Sequence, residues 1–126
     1  MEPQSYGAVL VDDERSFIDS ERNEEATILR TSAEAIAWLN GVGQDTVVDQ
    51  LWFDHDLGML DETRDDTTIP FLSALEERCF FGTAPQVNMV LVHTSNRVGG
   101  DVIEKSMRRY FYTVRVFAGD YLVVSS

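Results

Sequence analysis

Three times along this chain an apolar run stops abruptly at a carboxylate or an imidazole. Gly7-Ala8-Val9-Leu10-Val11 runs into Asp12-Asp13-Glu14-Arg15, Leu51-Trp52-Phe53 into Asp54-His55-Asp56-Leu57-Gly58, and the stretch 87–92 into His93-Thr94-Ser95-Asn96. Short apolar runs closed by turn-type residues predict buried strands. Two more strands are predicted: residues 26–30, placed near an edge because Glu24 and Glu25 precede them, and residues 112–117, which alternate. Helical patterns lie between the strands. Residues 16–22 predict a short helix resting on Phe17 and Ile18. Thr31 and Glu34 have the spacing of a capping box, and the stripe Ile36 and Leu39 behind them reaches a stop at Gly41. Residues 68–78 predict a helix that tolerates Pro70 in its first turn, buries Ile69, Leu72, Leu75 and Cys79, and ends before Gly82 and Pro85. A last helix opens at Gly99-Gly100 and runs to Phe111 with Ile103, Met107 and Tyr110 on one face. Residues 59–66 read as a polar, acid-rich loop and 1–6 as a lead-in. Residues 118–126 read as a tail, in which 121–124 form an extra edge strand or pack against a partner.

Strands alternating with helices predict an α/β domain, a parallel sheet with helices on both faces. At 126 residues one domain over 1–126 is expected, large enough to bury its own core. The expected architecture is a five-stranded doubly wound sheet in the flavodoxin-like order 2-1-3-4-5. In that order the first, third and fourth strands adjoin, and their carboxyl ends share the crevice where such sheets place ligands. The chain's two histidines, His55 and His93, then reach one rim together with Asp12, Asp13, Asp54 and Asp56. Unpaired buried acids are costly, so these must be solvated, mutually paired or metal-bound. Each residue also has a plain structural use. Asp12 and Asp13 suit helix caps, His93 a hydrogen-bonded core position, and Ser95 and Asn96 turns. Arg97, Lys105, Arg108, Arg109 and Arg115, half of the chain's ten basic residues, suit a solvated helix face.

Charge narrows the partners. A formal net charge of −12 opposes a general nucleic-acid coat, general DNA binding and an anionic membrane surface. It leaves room for a small phosphate substrate if a metal ion or local basic residues offset the field. No apolar run has the length of a membrane span, the N-terminus has no signal-peptide pattern, and the one cysteine, Cys79, has no internal disulfide partner. A reduced, cytoplasmic setting is the expectation. Oxygen ligands on a rigid strand edge suit Mg²⁺ or another divalent cation, with Asp12, Asp13 and Asp54 as the ligands. A helix starting near Gly99 aims free amides and the positive end of its dipole at the crevice, where Thr94, Ser95, Asn96 and Arg97 add donors to a bound phosphate.

Asp12-Asp13-x-Arg15, Asp54-His55-Asp56-Leu57-Gly58 and His93-x-Ser95-Asn96-x-x-Gly99 together resemble the cyclic-phosphate-processing receiver-like family, a divergent relative of response-regulator receiver domains. The resemblance covers residues 7–116 in order, and Asp54 to Gly58 is its most specific part. It implies a receiver-like fold and action on a nucleotide or RNA end bearing a cyclic phosphate. It sets Asp12, Asp13 and Asp54 at the receiver's metal and acceptor positions. Two departures stand out. The region 114–119 has no lysine, which a receiver carries at the end of its fifth strand, and this argues against phosphoacceptor signalling through Asp54. The loop after Gly58 also lacks the family's glycine-containing continuation, so the family's substrate contacts there are not carried over to this chain. Opening a cyclic phosphate needs a base for water, an acid for the departing ribose oxygen and donors for the phosphoryl oxygens. Imidazoles titrate near neutral pH. The expected catalytic set is therefore His55 and His93 as the acid–base pair and Asp54 or Asp56 orienting His55. Thr94, Ser95, Asn96, Arg97, Gly99 and Arg15 form the expected substrate cradle. The alternatives are a metal-dependent phosphohydrolase and a non-catalytic receiver-like module that binds a protein or nucleotide.

Overall fold

The computed structural model describes residues 4–111, 113–116 and 122–124. Its elements are β1 (Ser5–Val11), β2 (Arg15–Phe17), α1 (Ser20–Glu25), β3 (Thr27–Leu29), α2 (Ser32–Asn40), β4 (Val47–Phe53), β5 (Asp56–Met59), β6 (Asp65–Thr67), α3 (Ile69–Phe80), β7 (Gln86–Val92), α4 (Arg97–Arg108), β8 (Val114–Val116) and β9 (Leu122–Val124). Five of the strands form one parallel sheet in the order β3-β1-β4-β7-β8, which is 2-1-3-4-5 counted along the chain. The fold is the expected flavodoxin/receiver-like one.

The apolar runs are continuous because both faces of the sheet are covered. Register puts Val9, Leu51 and Val90 in one row and Val11, Phe53 and Val92 in another, and both rows pack with Ala35 and Leu39 of α2, Leu72 and Leu75 of α3, and Ile103 and Met107 of α4. The alternate row, Leu10, Trp52 and Leu91, packs on the other face with Phe17 and Leu122. Three long helices thus share one face. The second face is closed by the short α1 and a β2–β9 ribbon, where the Arg22 guanidinium lies 4.6 Å from the Phe17 ring centre and 5.4 Å from that of Trp52.

Several elements differ from expectation, some because a distant partner decides them and some because a local cap sets where a helix starts. Residues 15–17 form strand rather than helix: β2 pairs antiparallel with β9, which lies 105 or more residues on and carries the expected tail strand away from the main sheet. The helix begins only after Asp19, whose side chain accepts the amides of Glu21 and Arg22, and Ile18 is exposed rather than a packing residue. Residues 56–67 are not all loop. Met59 pairs with Asp65 and Asp56 with Thr67 in a small hairpin. The fourth helix starts at Arg97, two residues early, because the Asn96 side chain caps it through the Gly99 amide. It ends at Arg108, short of Phe111. The first strand takes in Ser5 and Tyr6, expected as lead-in. The ends of the predicted fifth strand, Tyr112 and Phe117, and Tyr121 of the predicted tail lie outside the described residues.

The capping box of α2 is present, with Thr31 Oγ1 accepting the Glu34 amide at 3.0 Å. A second carboxylate arrives from β6. Asp66, 5% exposed, accepts the Ser32 amide at 2.9 Å and its hydroxyl at 2.6 Å, which ties the hairpin to the helix start. Asp66→Ala leaves two buried donors unpaired and is expected to cost about 1–3 kcal/mol. Urea unfolding checks this: the midpoint falls while the denaturant slope holds, and an unchanged midpoint refutes the tie. No helix among the described residues is long and apolar enough to cross a membrane.

Candidate functional site

The parallel ladder continues one residue past the strands. The Asp12 amide donates to Leu29 O at 3.1 Å, the Asp54 amide to Val11 O at 2.9 Å, and the His93 amide to Phe53 O at 2.8 Å. By strand alternation Asp12, Asp54 and His93 form a row on the same face as Leu10, Trp52 and Leu91. The carboxyl ends of β1, β4 and β7 thereby converge on one rim.

Asp12 is fully buried and fully engaged. Its Oδ1 accepts the amides of Glu14 at 3.0 Å and Arg15 at 2.9 Å, and its Oδ2 pairs with Arg15 Nη1 at 3.3 Å. The same Nη1 lies 3.2 Å from Asp54 Oδ2, so one guanidinium nitrogen bridges both acids. Asp54 Oδ1 accepts the His55 amide at 2.8 Å, and the Thr94 hydroxyl donates to the same carboxylate. Arg30, at the end of β3, holds the loop from beneath by donating to the carbonyls of Asp12 and Arg15. Asp13 sits beside Gly58, whose φ of +77° favours glycine and where a Cβ would meet Asp13 Oδ2 at 3.0 Å.

Burial pushes the Asp54 carboxyl above the usual aspartate range, with Asp12 adding to it and Thr94, Arg15 and the His55 amide opposing. Burial likewise raises Asp13, helped by Asp12 and Glu14. Burial works against the Arg15 charge, but Asp12 and Asp54 outweigh it and the guanidinium is pushed up. An acid raised in the folded state binds protons that the unfolded chain has already released, so its charge destabilises the fold as pH rises through the folded value. Asp54→Asn is therefore expected to raise Tm at neutral pH, with the gain vanishing as pH falls into the acid range. Thermal denaturation across pH checks this. A lower Tm for the variant at pH 7 contradicts the sign.

His55 leaves the rim toward α4. Its Nδ1 lies 3.0 Å from Asp56 Oδ1, and Asn96 Nδ2 lies 3.3 Å from Asp56 Oδ2 and 3.3 Å from His55 Nδ1. A carboxylate only accepts and an amide nitrogen only donates, so Nδ1 can hydrogen-bond to one of the two and not to both. The shorter contact, to the Asp56 carboxylate, puts the proton on Nδ1, leaves Asn96 Nδ2 to donate to Asp56 Oδ2, and makes Nε2 the acceptor of the neutral ring. Gly99 makes room for the ring: a Cβ there would stand 2.3 Å from His55 Cγ. Asn96 serves both sides, accepting the Gly99 amide on Oδ1 at 2.9 Å and giving its own amide to Thr94 Oγ1 at 3.2 Å.

The structure thus gathers two linked groups. Asp12, Asp13, Asp54, Arg15 and Thr94 form one, and His55, Asp56, Asn96 and Gly99 the other, joined at Asp54–His55 and Thr94–Asn96. Ser95 and Arg97 are exposed beside them. His93 belongs to the acid row, and its buried Nδ1 has no hydrogen-bond partner. Among the described residues no hydrogen bond joins the two imidazoles: strand alternation sets His93 in the row of Asp12 and Asp54, while the His55 ring turns to Gly99 at the start of α4. Sequence reasoning missed Arg30 as a clamp and Gly99 as the seat of the His55 ring, because each role is a contact across at least 15 residues.

The oxygens of Asp12, Asp13 and Asp54 approach within 4.8 Å of one another, a donor set of the right chemistry for a hard divalent cation. The seat between Asp12 and Asp54 does not fit one while Arg15 bridges them. A cavity of about 480 Å³ opens at the opposite, amino-terminal end of the strands, bordered by Cys79, Pro85, Val87 and Phe111. Burial pushes the Cys79 thiol up to about 11, so it is protonated at neutral pH and offers no nucleophile there.

A parallel sheet in receiver order, with an acid pair at the ends of its first and third strands, defines a receiver-class domain. Residues 8–109 match the family described as cyclic-phosphate processing receiver domain, and the chain belongs to that family. No curated protein and no solved structure matches it.

Proposed function

We propose that this domain opens cyclic phosphate ends of nucleotides or RNA by metal-independent acid–base hydrolysis at the carboxyl rim. The observation that carries the reading is the fixed His55 ring, held through Nδ1 by Asp56, flanked by Asn96 and seated on Gly99 at the start of α4. A ring held this way presents Nε2 as a base. It takes a proton from water as the water oxygen bonds to phosphorus. The bond from phosphorus to one ribose oxygen breaks, and that oxygen takes a proton from His93, the candidate acid. The leading amides of α4, at Arg97 and Val98, precede the first intrahelical bonds and suit the phosphoryl oxygens, with Ser95 and Arg97 as side-chain donors. Thr94 and Asn96 are already engaged and act as positioning residues. In a chain of net charge −12, Arg97, Arg15 and the helix dipole supply the local positive field.

The test is turnover of a 2′,3′-cyclic nucleotide in the presence of a chelator, comparing the wild type with His55→Ala and His93→Ala. Activity lost on chelation returns the metal-dependent reading, and activity unchanged by both substitutions discards the pair. A second reading rests on the separation of the two rings: a receiver-like module that binds the cyclic phosphate and leaves it intact. Saturable binding of the nucleotide without product selects it.

A further inference from the structure

We infer that Arg15 is the resident cation of the Asp12–Asp54 pair, a tethered charge in the place where a receiver-like acidic edge takes a divalent ion, and that it keeps such ions out. This goes beyond the hydrolytic reading and does not depend on it. Three observations carry it. First, Arg15 Nη1 bridges Asp12 Oδ2 at 3.3 Å and Asp54 Oδ2 at 3.2 Å, so one positive charge already serves both carboxylates. Second, the other oxygen of each of these two acids already accepts hydrogen bonds. Asp12 Oδ1 holds the amides of Glu14 and Arg15, and Asp54 Oδ1 holds the amide of His55. Mg²⁺ needs oxygen lone pairs at about 2.0–2.1 Å in near-octahedral geometry, and to bridge Asp12 and Asp54 it would have to displace the Arg15 guanidinium from their Oδ2 atoms first.

Third, Arg15 is pinned at both ends of its backbone. Its amide is held by Asp12, its carbonyl is held by Arg30, and its register partner in the β2–β9 ribbon is Val124. The side chain is therefore delivered to the acids by the fold rather than drawn to them from solution. The consequence is a site whose acids are neutralised in part by the chain itself. In this arrangement Arg15 positions Asp54, and through the hydrogen bond that the His55 backbone N–H donates to Asp54 Oδ1 it also steadies the start of the His55 segment.

Titration with Mn²⁺ and with Mg²⁺ tests this, read by calorimetry and by the shift in Tm, on the wild type, Arg15→Gln and Arg15→Lys. The wild type and Arg15→Lys are expected to show no saturable binding below the millimolar range. Arg15→Gln is expected to bind at least tenfold more tightly and to gain Tm with Mg²⁺, and adding Asp54→Asn to it should abolish that gain. Wild-type binding as tight as that of Arg15→Gln overturns the inference. So does an Arg15→Gln protein that folds and gains no affinity. Should Arg15→Gln fail to fold, the wild type still decides: saturable sub-millimolar binding that Asp54→Asn removes overturns the inference, and its absence together with a Tm indifferent to Mg²⁺ sustains it. Because the readout is metal binding, a failed turnover assay leaves this result standing, and the reverse holds as well.

Discussion

His55→Ala is expected, on the hydrolytic proposal, to lower turnover of a 2′,3′-cyclic phosphate by about 10²–10⁴-fold, the usual yield of one positioned acid–base group. The ring is partly exposed and packs on a glycine, so its loss opens no core cavity and Tm should move little. Gly99→Ala is the companion test, since it keeps the imidazole and moves it. A methyl 2.3 Å from His55 Cγ cannot coexist with the ring where it stands, and displacement of about 1 Å costs on the order of 10²-fold in rate. A further readout separates positioning from mere structure. Nitrogen-15 NMR of the imidazole should show the Nδ1–H tautomer in the wild type, and Asp56→Ala should disturb it. A wild type protonated on Nε2 instead would remove the base from the proposal, whatever the turnover assay gave.

Trp52→Ala will destabilise the domain by about 3–5 kcal/mol, the range for truncating a large buried aromatic. Trp52 is 2% exposed and stands between Leu10 and Leu91 in the row directly beneath Asp12, Asp54 and His93. Its ring meets Phe17 edge-on at 5.3 Å, lies under the Arg22 guanidinium, and donates its Nε1–H to Gln50 Oε1 at 3.1 Å. Truncation removes the floor of the acid row along with the contact that holds the β2 ribbon down. Equilibrium unfolding gives the magnitude, and a loss below about 1 kcal/mol would mean that the second face of the sheet contributes little. The same variant bears on the site, because β2 carries Arg15. Tighter Mg²⁺ binding by Trp52→Ala than by wild type is the expected secondary effect.

Much of this architecture lay in the order of residues along the chain. The runs ending at Val11, Phe53 and Val92 had to be central strands, because continuous apolar stretches of that length are stable only when both faces are covered. Their abrupt stops at Asp12, Asp54 and His93 marked the rim, and Thr31 with Glu34 marked the start of α2 by a pattern four residues long. Such features are legible because the physical cause and its signature are neighbours in sequence. The residues of the candidate site were legible for the same reason, as a list of acids and imidazoles at strand ends.

What the list meant was decided only by folding. Nothing local to Arg15-Ser16-Phe17 distinguishes a strand from a helix; the pairing with residues 122–124 does so, and that pairing carries Arg15 to the acids. Asp66 looks like one more acid in a polar loop until the hairpin sets it against Ser32, 34 residues away. Gly99 looks like a helix-opening glycine until the His55 ring arrives from 44 residues earlier. Periodicity and punctuation are properties of short stretches, and they settled the strands, the helices and the edge at which the acids gather. Which charge meets which carboxylate, and which ring nitrogen stays free, depends on contacts between segments whose separation along the chain leaves no trace in composition or spacing, and the tertiary structure alone decided those.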